Sequence, residues 1–106
     1  MDIEIEDEEL VKYFVGEKSK YSRLQKEIKK KTIKKLDYIE SAKTVLDLSK
    51  LSSLNFELLE PKTDGIYSIR VDRTYRLELR FDWIDEAKGI PNTVYIIRLS
   101  KHYKKI

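Results

Sequence analysis

Residues 65–81 read GIYSIRVDRTYRLELRF and hold the clearest structural signal in this chain of 106 residues. Apolar and polar side chains alternate on both sides of Asp72-Arg73, which is typical of two β-strands joined by a tight turn. The pattern predicts strands over residues 66–71 and 74–81. Asp72-Arg73 is expected to connect them as a hairpin.

Alternation gives this hairpin two chemically different faces, because successive side chains of a strand point to opposite sides. The apolar face is expected in the core and comprises Tyr67, Ile69, Val71, Tyr75, Leu77, Leu79 and Phe81. The opposite face is expected to meet solvent and comprises Ser68, Arg70, Arg76, Glu78 and Arg80. Two interpretations fit this second face. It is either an ordinary wet face with cross-strand Arg–Glu pairs, or a surface for a polyanion, since arginine can hold phosphate in a bidentate way.

Further strands are predicted on both sides of the hairpin. Residues 54–60 and 93–99 are rich in β-branched, aromatic and other apolar side chains, and a loop over residues 85–92 contains Gly89 and Pro91. Four consecutive strands of this kind indicate an antiparallel meander.

The N-terminal half has a different periodicity. Residues 1–5 alternate like a short edge strand, residues 6–16 suit a helix that starts with acids and ends at a glycine, and residues 19–41 suit a long amphipathic helix. A short helical segment over 44–48 leads into a serine-rich loop at 49–53. The expected fold is α+β: an N-terminal strand and two to three helices packed on a C-terminal antiparallel sheet of about four strands, in a single domain over residues 1–106.

Composition indicates the cellular location and the kind of partner to expect. The chain has no cysteine, no apolar run long enough to span a bilayer, and acids where a signal peptide would be basic. We therefore expect a cytoplasmic protein with no membrane partner. The formal net charge is +3, but residues 1–17 hold seven acids and one lysine, so the remainder carries net +9. A strongly basic body favours a polyanionic partner such as nucleic acid.

Lysines cover the predicted long helix at Lys26, Lys29, Lys30, Lys31, Lys34 and Lys35. They are either a solvated helix face or a surface that docks on phosphates. The helix uses lysine almost throughout, whereas the hairpin uses arginine. Because only arginine presents a planar fork to phosphate, this division favours recognition on the sheet.

The last residues are basic and include side chains of types that act in catalysis. Lys101, His102 and Tyr103 follow the last predicted strand, and His102 is the only histidine. RNA can be cleaved without metal if one group takes a proton from the 2′-hydroxyl, another donates one to the leaving 5′-oxygen, and cations stabilise the phosphate. The alternative is a surface histidine on a frayed tail. With one histidine, no cysteine and no glycine-rich phosphate loop, we expect no metal and no cofactor.

The order of these elements resembles the RelE/HigB family of bacterial toxins over essentially the whole chain. The most specific part is Gly65-Ile66-Tyr67-Ser68-Ile69-Arg70-Val71-Asp72-Arg73-Thr74-Tyr75-Arg76-Leu77, which is similar to the family's pattern of Gly, aromatic, Ser, Ile/Val, Arg, turn, aromatic, Arg and hydrophobic. The ending Ile97-Arg98-Leu99-Ser100-Lys101-His102-Tyr103 is also similar to a common ending of these proteins.

This resemblance implies a ribosome-dependent endoribonuclease that cuts translated mRNA and arrests growth. It implies a cognate HigA-like, DNA-binding antitoxin as partner, with operator DNA contacted only through that antitoxin. The implied catalytic set is Arg76, His102, Tyr103 and Lys62, and the implied RNA-binding set is Arg70, Arg73, Arg80 and Lys101. The general base and general acid stay unassigned. Two other functions remain open: a ParE-like toxin that inhibits DNA gyrase, and a degenerate toxin that acts only as a binding or co-repressor module.

Overall fold

The computed structural model describes residues 1–59 and 65–101. The elements within this part are β1 (Asp2–Ile5), α1 (Glu8–Phe14), α2 (Lys26–Ser41), α3 (Val45–Lys50), a 3-10 turn (Ser52–Leu54), β2 (Glu57–Leu58), β3 (Tyr67–Arg70), β4 (Tyr75–Asp85) and β5 (Ile90–Lys101).

The strands form one sheet in the order β1-β5-β4-β3-β2. Strands β2 to β5 pair antiparallel in succession, which confirms the predicted meander. Strand β1 lies at the edge, as predicted, but it pairs parallel with β5, so the described sheet is mixed and has five strands. The sequence predicted the N-terminal edge strand and four antiparallel strands, but it did not predict that β1 pairs parallel with β5 and so makes one mixed sheet of five strands. A parallel partner was not visible in the sequence because the whole helical region separates β1 from β5.

The helices cover the apolar face of this sheet. Ile69, Leu77 and Leu79 of the hairpin are fully buried and belong to one hydrophobic cluster with Leu10 of α1 and Ile39 of α2. The predicted core face is thus confirmed. The opposite face of the sheet lies on the side away from the helices, because side chains alternate along each strand.

Helix α1 lies within the predicted range of residues 6–16 but is two residues shorter at each end. Asp7 is its N-cap and accepts a hydrogen bond from the backbone N–H of Glu9 at 3.0 Å. Gly16, two residues beyond the helix, has φ +83°, a conformation that side chains rarely adopt.

Helix α2 begins at Lys26, seven residues later than predicted. The preceding residues form turns instead, because serine hydroxyls take up backbone N–H groups: Ser22 Oγ accepts from Ser19 N at 2.8 Å, and Ser19 Oγ accepts from Tyr21 N at 3.1 Å. The turns place Tyr21 in the core, where its hydroxyl donates to Asp7 Oδ2 at 2.5 Å and accepts from Leu99 N at 3.4 Å. Burial and the Asp7 contact raise the pKa of Tyr21.

The connection between β3 and β4 is longer than the predicted two-residue turn. Residues 71–74 lie between the strands, and the Asp72 side chain accepts hydrogen bonds from Thr74 N at 2.8 Å and Tyr75 N at 2.7 Å. No residue of this connection has a positive φ, so it is not a primed turn, and the Asp72 side chain holds it by binding the backbone two and three residues ahead.

Strands β4 and β5 extend further than predicted, and their connection is only residues 86–89. Trp83 lies opposite Pro91 and packs on Phe81 with ring centroids 5.0 Å apart. Pro91 lacks an N–H but lies beside shifts in the β4–β5 register, where a ladder bond is already interrupted. By contrast, among the described residues the predicted strand over 54–60 forms a strand, β2, only at Glu57–Leu58. No helix in the described part of the chain is long and apolar enough to cross a membrane.

Candidate functional site

Arg76 lies near the start of β4 on the sheet face away from the helices. Its register partners are Arg70 on β3 and Ser100 on β5. The residue is only 8% exposed, and Ser68 and Glu78 on the same face are also buried. The prediction of a uniformly solvent-exposed face was therefore wrong at these three positions, since alternation predicts which side a residue takes but not how deeply it is covered.

The Arg76 guanidinium is held by a carboxylate from β2. Arg76 Nη2 donates to Glu57 Oε1 at 2.8 Å, and the Glu57 side chain is 45% exposed. Glu57 was missed by the sequence interpretation because nineteen residues separate it from Arg76. Its register with Ser68 places it on the same face, and only the folded sheet reveals this. The one sequence feature that could have indicated Glu57 was the presence of an acid on the predicted strand before the hairpin.

Two polar groups beside this ion pair lack a hydrogen-bond partner. Within the described residues, Arg76 Nε and Ser68 Oγ are buried without one. An unsatisfied buried donor costs on the order of 1–3 kcal/mol, so such groups are rare unless they have a role. A third such group, Tyr13 Oη, belongs to α1 rather than to the sheet. The two on the sheet lie beside the Arg76–Glu57 pair, where a further acceptor would be stabilised.

Arg80 lies four residues further along β4 in a different setting. Its guanidinium pairs with the Glu6 carboxylate and lies 5.3 Å from the centroid of the Tyr95 ring. Both side chains of the pair are partly exposed, at 45% for Arg80 and 39% for Glu6. Arg80 is thus paired with an acid next to β1. It lies at the end of this face that is farther from the hairpin connection.

The other predicted residues fall into two groups. Arg70 and Arg73 are exposed on and beside the hairpin connection, and Lys101 is exposed opposite Tyr75 at the end of β5. The structure therefore brings Arg70, Arg76 and Ser100 together across three adjacent strands, whereas Lys101 takes the other side of β5 by alternation. Lys62, His102 and Tyr103 lie outside the described residues.

A cleft of about 250 Å³ lies elsewhere, between the end of α1 and the start of α2. Tyr13, Leu24 and Lys26 contribute to its lining. No residue of the Arg76 site contributes to it, so this cleft and the unsatisfied groups on the sheet are separate features.

Comparison with known proteins relates this chain to a described family. Residues 3–96 match the family model described as "RelE-like toxin of type II toxin-antitoxin system HigB". A protein of Haemophilus influenzae described as "Uncharacterized protein" is 36% identical over 62 residues, which are 58% of this chain and 61% of that protein.

Two solved structures share the fold. A YoeB/ParE toxin from Agrobacterium tumefaciens superposes with a TM-score of 0.57 at 13% identity, covering 97% of this chain and 100% of that one. The YoeB-YefM complex from Staphylococcus aureus contains a chain with a TM-score of 0.56 at 20% identity, covering 97% of this chain and 98% of that one. Because the family model covers nearly the whole sequence, the chain belongs to the HigB family of RelE-like toxins of type II toxin–antitoxin systems.

Proposed function

We propose that this protein is a ribosome-dependent endoribonuclease that cleaves translated mRNA and is held inactive by a cognate antitoxin. The observation that carries the proposal is the buried Arg76 guanidinium, which binds one carboxylate and leaves its Nε without an acceptor among the described residues. A fixed cation with a spare donor is suited to the charge that develops on a phosphate during cleavage.

Glu57 supplies the group that removes a proton. A half-exposed carboxylate 2.8 Å from the guanidinium lies beside any phosphate that the guanidinium holds. Glu57 accepts the proton of the ribose 2′-hydroxyl, the 2′-oxygen forms a bond to phosphorus, and the bond from phosphorus to the 5′-oxygen breaks. The products are a 2′,3′-cyclic phosphate and a free 5′-hydroxyl once the leaving oxygen takes up a proton.

The C-terminal tail supplies that second proton. Ser100 lies directly opposite Arg76, so His102 follows a residue that already borders the site. His102 and Tyr103 follow Ser100 by two and three positions in the sequence, so the proton donor is assigned to this tail. His102 is the preferred donor because it is the side chain whose ordinary pKa lies closest to neutrality.

The remaining predicted residues bind the RNA strand. Arg70 is exposed opposite Arg76, and Arg73 is exposed on the connection between β3 and β4. Lys101 is exposed at the end of β5, opposite Tyr75. With Lys62 they hold phosphates on either side of the scissile bond. Arg80, whose guanidinium pairs with the Glu6 carboxylate, only steers the RNA strand.

The proposed partner is a HigA-like antitoxin that binds DNA and recruits the toxin to its own operator. Membership of a family of type II toxins supports such a partner. The similarity to a chain whose structure is titled a YoeB-YefM complex supports it in the same way.

The test is expression of the toxin without antitoxin, followed by primer extension on a translated message and on the same message with its start codon removed. The proposal predicts growth arrest with new 5′ ends on the translated message alone. Arrest with intact messages and DNA damage would instead indicate gyrase inhibition. Growth without arrest would indicate a binding module, and either result would overturn the proposal.

A further inference from the structure

Glu78 and Arg98 form an ion pair on the polar face of the sheet that the proposed cleavage chemistry does not use. They are register partners on β4 and β5, and Arg98 Nη1 lies 3.3 Å from Glu78 Oε1. Glu78 follows Arg76 by two residues on β4, so alternation places the pair on the same face as Arg76. Two residues of a strand rise roughly 7 Å, so the pair borders the Arg76 site.

Two neighbouring rows of side chains on this face differ in charge. The first row comprises Arg70, Arg76 and Ser100, and it carries two positive charges. The second row crosses four strands and comprises Glu57, Ser68, Glu78 and Arg98. It carries two negative charges and one positive charge. A phosphate is attracted to the first row and repelled by the second, so the second row suits a neutral ligand with hydrogen-bond donors and acceptors.

The two members of the pair differ in exposure. The Glu78 side chain is 11% exposed, whereas the Arg98 side chain is 53% exposed. The contact at Nη1 engages one of the five N–H donors of the guanidinium, so its outer edge keeps donors for a ligand. The covered carboxylate fixes the direction of the guanidinium. The pair therefore presents an acceptor and several donors side by side.

Strand β5 is irregular at this position. Glu78 pairs with Arg98, but the next residue, Leu79, pairs with Ile96, so Ile97 is an extra residue in β5. Such a bulge bends a strand and changes the direction of neighbouring side chains, and bulges are frequent next to functional sites. The irregularity lies directly beside Arg98, which supports a role for this side chain beyond pairing in the sheet.

A nucleobase is the part of RNA that is neutral and carries donors and acceptors side by side. Single-stranded RNA exposes the Watson–Crick edges of its bases to proteins. Guanine has the acceptor O6 next to two donors, N1–H and the 2-amino group. Arg98 can donate to O6 while the Glu78 carboxylate accepts from both donors. Adenine and cytosine offer a carboxylate one amino group, and uracil offers one N–H between two acceptors. Guanine is therefore the best match.

We propose that Glu78 and Arg98 read a guanine next to the phosphate that Arg76 holds. The phosphate lies on the positive row, and the base of an adjacent nucleotide lies over the second row. The pair determines which sites of a message are cut and takes no part in the proton transfers. This inference rests on the proposed function, because it names the base specificity of the same site.

The test measures the base preference of cleavage on bacterial ribosomes that carry a pool of messages with a randomised A-site codon. The 5′ ends of the products are sequenced for the wild type, for Glu78→Gln and for the matched control Glu6→Gln. Both substitutions neutralise a carboxylate that pairs with an arginine of the sheet, but Glu6 pairs with Arg80, away from Arg76. Because all messages compete in one reaction, the ratio of products does not depend on the fraction of a variant that is folded.

We expect the wild type to cut beside guanine about tenfold more often than beside any other base, the scale of discrimination from one bidentate base contact. Glu78→Gln should lose this preference and favour adenine, since a glutamine amide both donates to and accepts from adenine. Glu6→Gln should keep the wild-type preference. Arg98→Met, at an exposed position, should also lose the preference for guanine, and it carries the test if Glu78→Gln yields no folded protein.

The outcomes separate this inference from the proposed function. Cleavage by the wild type without a preference for guanine would overturn the inference while the proposed nuclease function stands. A preference for guanine that Glu78→Gln or Arg98→Met retains in full would overturn it as well. If the wild type cuts no message in the pool, the proposed function itself is refuted, and this inference with it.

Discussion

Arg76 and Arg80 lie four residues apart on the same face of β4, and each pairs with one glutamate. Arg76 is nearly buried and has an unsatisfied N–H, whereas Arg80 is half-exposed and lies over Tyr95. Two arginines that strand alternation places on the same face therefore differ in how well they can stabilise a bound phosphate. A pair exposed to water contributes little to stability or catalysis, while a covered guanidinium acts on its ligand with little screening.

The contrast arises from the strands on either side of β4. Arg76 lies between β3 and β5 and reaches Glu57 on β2. Arg80 lies closer to β1, where Glu6 follows the edge strand. We conclude that position in the sheet, rather than residue type, separates a candidate catalytic arginine from one that only steers RNA.

Replacing Arg76 should have the largest effect. Arg76→Ala removes the cation that stabilises the transition state, and we expect cleavage to fall roughly 10³-fold, the upper end of the effect of losing one such donor. Arg76→Lys keeps the charge but loses the planar guanidinium that can bind phosphate in a bidentate way. Its cleavage rate should therefore lie between those of the alanine variant and the wild type. Single-turnover cleavage of ribosome-bound mRNA measures both. An alanine variant within threefold of the wild type would remove Arg76 from the catalytic set.

Glu57→Gln should have the next largest effect. Glutamine keeps the shape and can still accept a hydrogen bond from Arg76, but it cannot take up a proton. The cleavage rate should fall about 10²-fold with ribosome binding unchanged, which is the range for losing a general base. Parallel loss of binding and cleavage would mean instead that Glu57 only supports the fold, and a urea titration of the variant distinguishes this case.

Arg70→Ala and Arg73→Ala should have moderate effects that depend on salt. Both residues are exposed, so each change removes at most a screened phosphate contact. We expect the substrate concentration at half-maximal rate to rise several-fold at low salt, with the salt slope shallower by roughly 0.7 for each residue. The maximal rate should stay constant, and a fall in that rate would place either residue in the chemical step.

Arg80→Ala should have the smallest effect. The Arg80–Glu6 pair is largely solvated, so its loss should change the free energy of unfolding by about 0–1 kcal/mol. Cleavage should change by less than about twofold, as expected for a surface charge outside the site. Chemical denaturation and the single-turnover assay test the two statements separately.

Sequence periodicity was sufficient to predict much of this molecule. Alternation from Tyr67 to Phe81 correctly predicted the hairpin's core face, because burying one face of a strand forces period two. The same rule could not predict that Arg76 would be covered or that Glu57 would reach it, since both depend on strand pairing across a long separation. The start of α2 was predicted too early because local serine contacts competed with the helix. Lys62, His102 and Tyr103 stay predictions, as they lie outside the described residues.

The most direct test of the Arg76 site is a single-turnover comparison of Arg76→Ala with Arg80→Ala, at saturating protein on bacterial ribosomes that carry a defined mRNA. Both variants lose one arginine from the same face of the same strand, so they differ only in the setting described above. We predict a rate within about twofold of the wild type for Arg80→Ala and a loss of roughly 10³-fold for Arg76→Ala. Equal rates for the two variants would contradict the assignment of the cleavage site to Arg76 and Glu57.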